Sequence, residues 1–176
     1  MSRHILFIER NLNFLKAGGR MAIVLPQGVF NNATDKRIRE YIAKHCRILA
    51  VVGLHANTFQ PHTGTKTSVL FVQKWHDKLC PYQEDYNIFF ATQQLKAKDS
   101  SGRKIYLANE DKNPKKDRYG HFIVQHDLFN HGKWEIGDKK YWQEGETQDG
   151  IAEAFIEFAK KEKLSFWAVS YTHIRA

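Results

Sequence analysis

The segment at residues 55–66 has the residue types for the most informative chemistry in this sequence. A single aromatic residue, Phe59, stands in a polar stretch beside Gln60, His62 and Lys66. An exposed aromatic ring can stack on a nucleic-acid base, while its basic neighbours neutralise the adjoining backbone phosphates. The alternative is that Phe59 is buried as an anchor of its loop. The residues alone favour that alternative, because aromatic side chains usually bury.

The run Gly64-Thr65-Lys66-Thr67 has some residue types of a phosphate-binding loop but not their order. No glycine directly precedes Lys66, and no second glycine lies upstream at the required spacing. The run also enters a predicted strand, whereas a phosphate-binding loop enters a helix. The sequence therefore argues against a nucleotide site of this type.

Histidines and cysteines are present without the spacing of a metal site or a catalytic nucleophile. Three histidines are five residues apart, which does not place them on one helical face, and no Cys-x-x-Cys pair accompanies them. These three are His121, His126 and His131. His76 lies four residues before Cys80, and Cys46 follows a predicted helix, where a small core residue is expected. We predict neither a metal site nor a catalytic cysteine.

Charge is unevenly distributed along the 176 residues. Lysine and arginine total 27, and aspartate and glutamate total 19, which gives a formal net charge of +8. Residues 1–76 hold 11 basic and three acidic side chains, whereas residues 77–176 hold 16 of each. A basic half favours a polyanionic partner, most often nucleic acid. A solvated basic surface with no such partner is the alternative.

Length and composition restrict the class of protein. A chain of this length with 42% apolar residues fits one globular domain with its own core. The N-terminal apolar run is interrupted at Glu9 and Arg10, so it does not form a signal peptide. Two cysteines cannot build a disulfide framework. These features predict a cytoplasmic protein without a membrane span.

The first elements follow from the apolar pattern. Apolar residues recur every three to four positions over residues 3–16, which predicts a helix that Gly18 and Gly19 end. Residues 20–26 and 48–54 are almost continuous apolar runs, which are typical of strands buried on both faces. Such strands belong to a sheet that helices cover on both sides.

The connections between these strands predict their topology. Residues 27–32 are predicted to be a loop, followed by a helix that Asn32 or Thr34 caps. The buried face of this helix is predicted at four positions: Ile38, Tyr41, Ile42 and His45. Residues 67–75 form a third predicted strand. No helix separates it from the second strand, so these two should pair antiparallel.

The second half has weaker patterns. Strands are predicted at 86–91 and 103–107, with a turn at 100–102 between them, and residues 109–120 read as a charged loop. A terminal helix is predicted over residues 150–163. Its apolar stripe comprises Ile151, Ala154, Phe155, Phe158 and Ala159, and Asp149 is the predicted cap.

Two segments of the first half carry a family resemblance. One runs from Leu15 to Phe30 around Gly18-Gly19-Arg20-Met21-Ala22-Ile23-Val24-Leu25-Pro26-Gln27-Gly28. The other runs from Ile48 to Phe59 and continues in Thr63-Gly64-Thr65-Lys66-Thr67-Ser68-Val69-Leu70-Phe71. Together they closely resemble the modification subunits of type I restriction–modification systems. The resemblance covers about residues 5–75 and continues more faintly to residue 158.

The resemblance implies a fold and an activity. The subunits of this family are adenine-N6 DNA methyltransferases that use S-adenosylmethionine. Their Rossmann-like α/β sheet has seven strands, one of them antiparallel. Residues 1–76 would be the C-terminal part of this methyltransferase domain and would supply its last three strands. Residues 77–176 would be an α+β extension with a terminal helix.

The resemblance also bears on Phe59. In related adenine methyltransferases an aromatic residue at this position stacks on the adenine that is flipped out of the duplex. This favours the stacking interpretation over the buried anchor. The resemblance implies DNA and target-base binding at Gln27, Phe59, Thr63, Gly64, Lys66 and Thr67.

Two signatures of the family are missing from the sequence. One is the glycine-rich turn that binds the methionine part of S-adenosylmethionine. The other is the catalytic Asn-Pro-Pro-Phe or Asn-Pro-Pro-Tyr, for which this sequence has only Asn113-Pro114 followed by two lysines. Both lie upstream in the family, so we expect an inactive C-terminal piece. Its expected partners are DNA, the upstream half of the domain, and the specificity and restriction subunits.

Two other interpretations remain open at this point. The chain could be a stand-alone, non-catalytic module that binds nucleic acid or supports assembly. It could also be a decayed or truncated product without a function of its own. In the second case the sheet edge that normally pairs with the catalytic strand would be exposed and would promote self-association.

Overall fold

A computed structural model describes residues 3–117, 119–129, 133–136, 139–142 and 150–168. The described residues form two compact units. Unit 1 draws on residues 1–54, 65–92 and 159–176, and unit 2 draws on residues 55–64 and 93–158. The division at residue 76, which concerns the extent of the family's domain, is a different kind of boundary and stays a prediction.

Helices and strands alternate in the first part of the chain. In chain order the described elements are α1 (Arg3–Phe14), β1 (Arg20–Pro26), α2 (Gly28–Asn31), a 3₁₀ turn (Ala33–Asp35), α3 (Lys36–His45), β2 (Cys46–Gly53), β3 (Thr67–Lys74), β4 (Phe89–Thr92), β5 (Lys133–Ile136), β6 (Lys139–Trp142), α4 (Ile151–Lys161) and α5 (Ser165–Ala168). None of the described helices is long and apolar enough to cross a membrane.

Unit 1 contains a mixed four-stranded sheet in the order β1-β3-β2-β4. Strand β3 runs antiparallel to both neighbours, with Leu70 opposite Ile23 on one side and opposite Val51 on the other. Strand β4 pairs parallel to β2. The predicted antiparallel pairing of the second and third strands is therefore confirmed, as is the mixed α/β sheet with one antiparallel strand.

One face of this sheet packs against α1 and α3. The apolar stripe predicted for α1 places Ile8 and Leu12 in the core, and Ile38 and Ile42 do the same for α3. Ile8 is completely buried. Periodic burial of this kind explains why short helices of modest propensity are stable here, since most helical stability comes from the packed apolar face.

The prediction that β1 is buried on both faces is wrong. Ile23 and Leu25 lie in the core, but the alternate residues Ala22 and Val24 are exposed, Val24 by 48%. Side chains alternate between the two faces of a strand. Because α1 and α3 pack on one face, the described residues leave the other face of β1 accessible.

The segment after β1 is also more ordered than predicted. The expected loop at 27–32 contains the helical turn α2. The guanidinium of Arg39 donates from the same nitrogen to the carbonyl oxygens of Val29 (2.9 Å) and Asn32 (2.8 Å), which satisfies groups at the end of that turn. Neither Asn32 nor Thr34 caps α3, because the residue directly before this helix is Asp35. The Asp35 side chain makes no capping hydrogen bond either.

The second half departs most from the predictions. The strand predicted at 86–91 is β4, and it pairs with β2 instead of with residues 103–107. Residues 103–107 form no regular strand but take part in isolated bridges. Tyr86 lies outside the strand and accepts a hydrogen bond from the Ile48 amide through its hydroxyl, 3.2 Å away.

Residues 97–117 and 119–125 of unit 2 form an irregular meander built on one repeated turn. At Asp99, Asn109 and Asp117 the amide of residue i donates to the carbonyl of residue i+4, and the amide of residue i+3 returns to the carbonyl of residue i. Residue i+3 has a positive φ in each turn; these residues are Gly102, Lys112 and Gly120. These hydrogen bonds, with a positive φ at residue i+3, are typical of a type I turn followed by a bulge. The sequence showed no repeat, because only the backbone pattern recurs.

The terminal helix is confirmed as α4, one or two residues shorter at each end than predicted. Ala159 in its predicted stripe is buried, but Ala154 is exposed. The predicted cap, Asp149, lies outside the described residues. Strands β5 and β6 pair antiparallel in a separate two-stranded sheet that the sequence did not predict.

Candidate functional site

The predicted base-binding loop, residues 55–64, is a series of hydrogen-bonded turns, which we call the Phe59 loop. The amides of His62 and Thr63 both donate to the Phe59 carbonyl oxygen, at 2.9 and 3.1 Å. The amide of Gln60 donates to the Asn57 carbonyl at 3.1 Å. The loop therefore satisfies much of its own backbone, which gives its tip a defined conformation.

Phe59 lies at the surface of this loop. Its side chain is 37% exposed, so it is not the fully buried anchor that the residues alone favoured. His62, Thr63 and Gly64 beside it are exposed as well. A partly exposed ring on an ordered loop can offer a π-face to a planar ligand without first unfolding.

The Phe59 loop is held by the segment that follows β4. The side-chain amide of Asn57 donates to the Lys98 carbonyl oxygen at 3.1 Å. The Lys98 ammonium in turn donates to the Gln60 carbonyl oxygen at 3.0 Å. These two bonds bracket Phe59 in sequence, so Lys98 fixes the loop on both sides of the ring.

A second contact involves the first turn of the meander. Gly102 lies so close to the loop that a Cβ atom placed on it would be 2.5 Å from Pro61 Cδ and 2.9 Å from the Gln60 carbonyl carbon. Its φ of +86° already favours glycine. Only a residue without a side chain permits this approach of two backbone segments.

The base of the loop is anchored through a buried amide. Gln93 is 4% exposed, and its side-chain oxygen accepts the His55 amide hydrogen at 3.1 Å. Its side-chain nitrogen donates to the Leu95 carbonyl at 2.9 Å. Both ends of the buried Gln93 side chain are thus satisfied, as burial requires.

The remaining predicted site residues lie in unit 1. Gln27 follows β1 and Lys66 precedes β3, and the Gln27 amide donates to the Lys66 carbonyl at 3.0 Å. Both residues are exposed. Thr67 pairs with Pro26 at the end of the ladder and is buried, and its hydroxyl oxygen has no hydrogen-bond partner among the described residues. An unsatisfied buried hydroxyl costs about 1–3 kcal/mol.

The predicted residues thus fall into two groups. Gln27, Lys66 and Thr67 are brought together at the carboxyl end of β1, the edge at which ligands bind in open α/β sheets. Phe59, Thr63 and Gly64 share the Phe59 loop of unit 2. The supporting residues were not predicted. Their contacts join positions about 40 apart, which no local pattern reveals; they are Asn57, Gln93, Lys98 and Gly102.

The cysteines are core residues. Cys46 is completely buried, as predicted, and burial raises the pKa of its thiol to about 11 from the ordinary 9.0. Burial raises the pKa of Cys80 as well. Thiols of this kind are protonated at neutral pH and are poor nucleophiles.

The histidines have local roles in turns. His76 Nδ1 accepts the amide hydrogens of Lys78 and Leu79, each at 3.1 Å. The described ranges hold no group of three or more His, Cys, Asp or Glu side chains placed to bind a metal ion. His131, the last of the spaced histidines, lies outside those ranges.

That this chain lacks an S-adenosylmethionine site stays a prediction. The connection from β1 to α2, Pro26-Gln27-Gly28, holds a single glycine. A cavity of about 220 Å³ beneath β1 and β2 is lined mainly by apolar side chains. Asn113 is used in a surface turn, where its side-chain nitrogen donates to Asp111 at 2.8 Å. That it is not the adenine-binding asparagine of the family stays a prediction.

Comparisons with known proteins agree with the resemblance seen in the sequence. The sequence model of the N-6 DNA Methylase family matches residues 1–159. The type I restriction enzyme EcoEI methylase subunit of Escherichia coli is 34% identical over 70 residues, which are 39% of this chain and 14% of that protein. The chain therefore spans only a small part of this curated relative.

Three solved structures are similar to parts of this chain. A Listeria monocytogenes protein, described as a class I S-adenosylmethionine-dependent methyltransferase, is 24% identical with a TM-score of 0.43, over 51% of this chain and 26% of its own. A chain of a type I restriction–modification assembly is 21% identical with a TM-score of 0.45, over 59% and 21%. A modification subunit of a type I restriction enzyme from Vibrio vulnificus is 19% identical with a TM-score of 0.38, over 68% and 30%.

The family match includes all the residues that build the four-stranded sheet, the Phe59 loop and the meander. The mixed sheet with its single antiparallel strand is the arrangement expected for the end of a Rossmann-like methyltransferase sheet. This chain belongs to the N-6 DNA methylase family.

Proposed function

We propose that this chain is part of the modification subunit of a type I restriction–modification system, which methylates adenine N6 in DNA. The observation that carries the proposal is the Phe59 loop, an ordered loop with a partly exposed aromatic ring between β2 and β3. The family match and the type I relative support it.

Phe59 would stack on the adenine that leaves the duplex. Extruding a base costs a few kcal/mol, and stacking on an aromatic ring contributes ~1–3 kcal/mol per base, so one ring offsets much of that cost. Thr63 and Gly64 border the ring on the same loop. The exposed side chains of Gln27 and Lys66, with Thr67 beside them, would contact the DNA at the carboxyl end of β1.

The methyl group would come from S-adenosylmethionine bound by the upstream half of the domain, which would also hold the adenine amino group. In this proposal, the described residues of this chain form neither the cofactor site nor the site that holds the adenine amino group. We therefore expect no methyl transfer by the 176-residue chain alone, and robust methylation by it would contradict the proposal.

The complete protein would act with other subunits. We propose that a specificity subunit selects the DNA sequence and that a restriction subunit completes the system. The basic first half of this chain would then contribute affinity that is not sequence-specific. Such binding weakens steeply as the salt concentration rises, because phosphate contacts release counterions.

The test is substitution of Phe59 in the complete protein. Phe59→Ala should lower the methylation rate about tenfold or more, whereas Phe59→Trp should retain most of it, since stacking requires a ring. Phe14→Ala is the matched control, because Phe14 is even more exposed and lies on α1. An unchanged rate in Phe59→Ala would rule out the stacking role. A 2-aminopurine at the target position reports base extrusion separately from chemistry.

A further inference from the structure

The meander of unit 2 has two faces of different composition. Side chains alternate along its short bridged segments, as along any extended chain. One face presents Lys104, Tyr106, Lys116 and Phe122, all exposed, which we call the lysine–aromatic face. The reverse face holds half-buried or buried side chains; these are Ile105, Leu107, Lys115 and Ile123.

The rings of the lysine–aromatic face lie close together and remain accessible. Tyr106 and Phe122 are 5.5 Å apart between ring centroids, with exposed fractions of 38% and 50%. The Lys116 ammonium lies 5.3 Å from the Phe122 ring centroid. Two neighbouring rings and a cation therefore share one surface.

Two carboxylates of the meander pair with other side chains. Asp99 pairs with Arg103 at 3.2 Å, and the Ser101 hydroxyl is the main cause that lowers the pKa of its carboxyl group. Asp117 pairs with His121 at 3.4 Å. Among the described residues, no ion pair engages either lysine of the face. Its charge is therefore positive and available.

We propose that the lysine–aromatic face binds unpaired nucleotides of DNA. Tyr106 and Phe122 would stack on bases, and Lys104 and Lys116 would neutralise the adjoining phosphates, the two interactions that hold single strands without sequence readout. Charge complementarity selects a polyanion over an apolar partner. The surface shares no residue with the Phe59 loop, and its binding does not depend on methyl transfer.

The experiment measures fluorescence anisotropy of a labelled single-stranded 20-mer and of the same sequence as a duplex, with the 176-residue chain. The chain should bind the single strand more tightly than the duplex. Phe122→Ala and Phe122→Leu should each weaken that binding about tenfold, since both remove the ring. The leucine variant keeps apolar bulk, so it separates stacking from a loss of folding, which thermal unfolding checks.

Adjacent lysines supply a matched pair. Lys116→Gln should weaken single-strand binding several-fold and reduce the slope of log affinity against log salt by about 0.7. Lys115→Gln makes the same charge change on the reverse face and should have little effect. Equal losses in both would indicate a diffuse basic surface and overturn the proposal.

Two further results would also overturn it. One is an unmodified chain that binds no single strand, as expected if the face contacts a protein partner. The other is a loss in Phe59→Ala with none in Phe122→Leu, which would assign the nucleotide contact to the Phe59 loop. Failure of the methyltransferase proposal is distinguishable, because a single-strand affinity that depends on Phe122 and Lys116 does not require methylation.

Discussion

Two glycines of the meander provide a controlled test of how the Phe59 loop is held. Gly102 and Gly120 occupy equivalent positions in equivalent turns, with φ of +86° and +85°. A Cβ on Gly102 would lie 2.5 Å from Pro61, whereas one on Gly120 would meet no atom within 4 Å. Alanine at either position therefore imposes the same backbone strain, and only one of the two substitutions collides with the loop.

The expected costs follow from these distances. A non-glycine residue in the left-handed region costs roughly 1–2 kcal/mol, so Gly120→Ala should lower the free energy of unfolding by that amount. Gly102→Ala bears the same strain and an overpacking cost of about 1–3 kcal/mol besides. Since ordinary carbon contacts lie at about 3.5 Å or more, the Pro61 backbone must move by about 1 Å.

Urea unfolding and hydrogen exchange of the Phe59 loop measure the two effects separately. Gly102→Ala should be the less stable variant, and it should speed exchange at the Gln60, His62 and Thr63 amides, which donate within the loop. Gly120→Ala should leave those amides unchanged. If the two variants match in both stability and loop exchange, the packing of Gly102 against the loop is not what orders Phe59.

Other predictions concern the core of unit 1. The pKa of the Cys46 thiol is 9.0 in the unfolded chain and about 11 in the folded one, so the free energy of unfolding should fall as pH rises between these values. Urea unfolding should show a smaller fall in Cys46→Ala. The Lys74 ammonium donates to two carbonyl oxygens at the end of α1, both at 2.9 Å, so Lys74→Met should cost about 2 kcal/mol in urea unfolding, against under ~0.5 for exposed Lys78→Met. Ile8→Ala should lower the free energy of unfolding by about 2–5 kcal/mol, whereas Leu6→Ala, 50% exposed on the same helix, should change it little. If Lys74→Met and Lys78→Met lose the same stability, or if Ile8→Ala and Leu6→Ala do, the packing described for unit 1 is contradicted.

The elements that the sequence predicted best are those determined by burial. Strands β1, β2 and β3 are apolar runs with few alternatives, and the lack of a helix between β2 and β3 leaves antiparallel pairing as the simple connection. The exposure of one face of β1 could not be predicted, because it depends on what covers Val24 from outside the strand.

Elements that depend on polar contacts between distant residues could not be predicted from the sequence. The turn α2 depends on Arg39, which lies in the following helix. The meander depends on turns in which even Lys112 adopts the conformation usually left to glycine. For the candidate site, the type of residue at Phe59 indicated the chemistry, but its support by Lys98 and Gly102 arises only in the folded chain.

Unit 2 is assembled from two stretches of chain that are not neighbours in sequence, residues 55–64 and 93–158. Exchange of segments between relatives therefore depends on whether both stretches are taken. A chimera that takes residues 93–158 from another family member would place a foreign turn against a native Pro61 and lose the match at Gly102. A chimera that takes residues 55–64 as well would inherit both sides of that contact. Residues 55–64 and 93–158 should therefore be exchanged together.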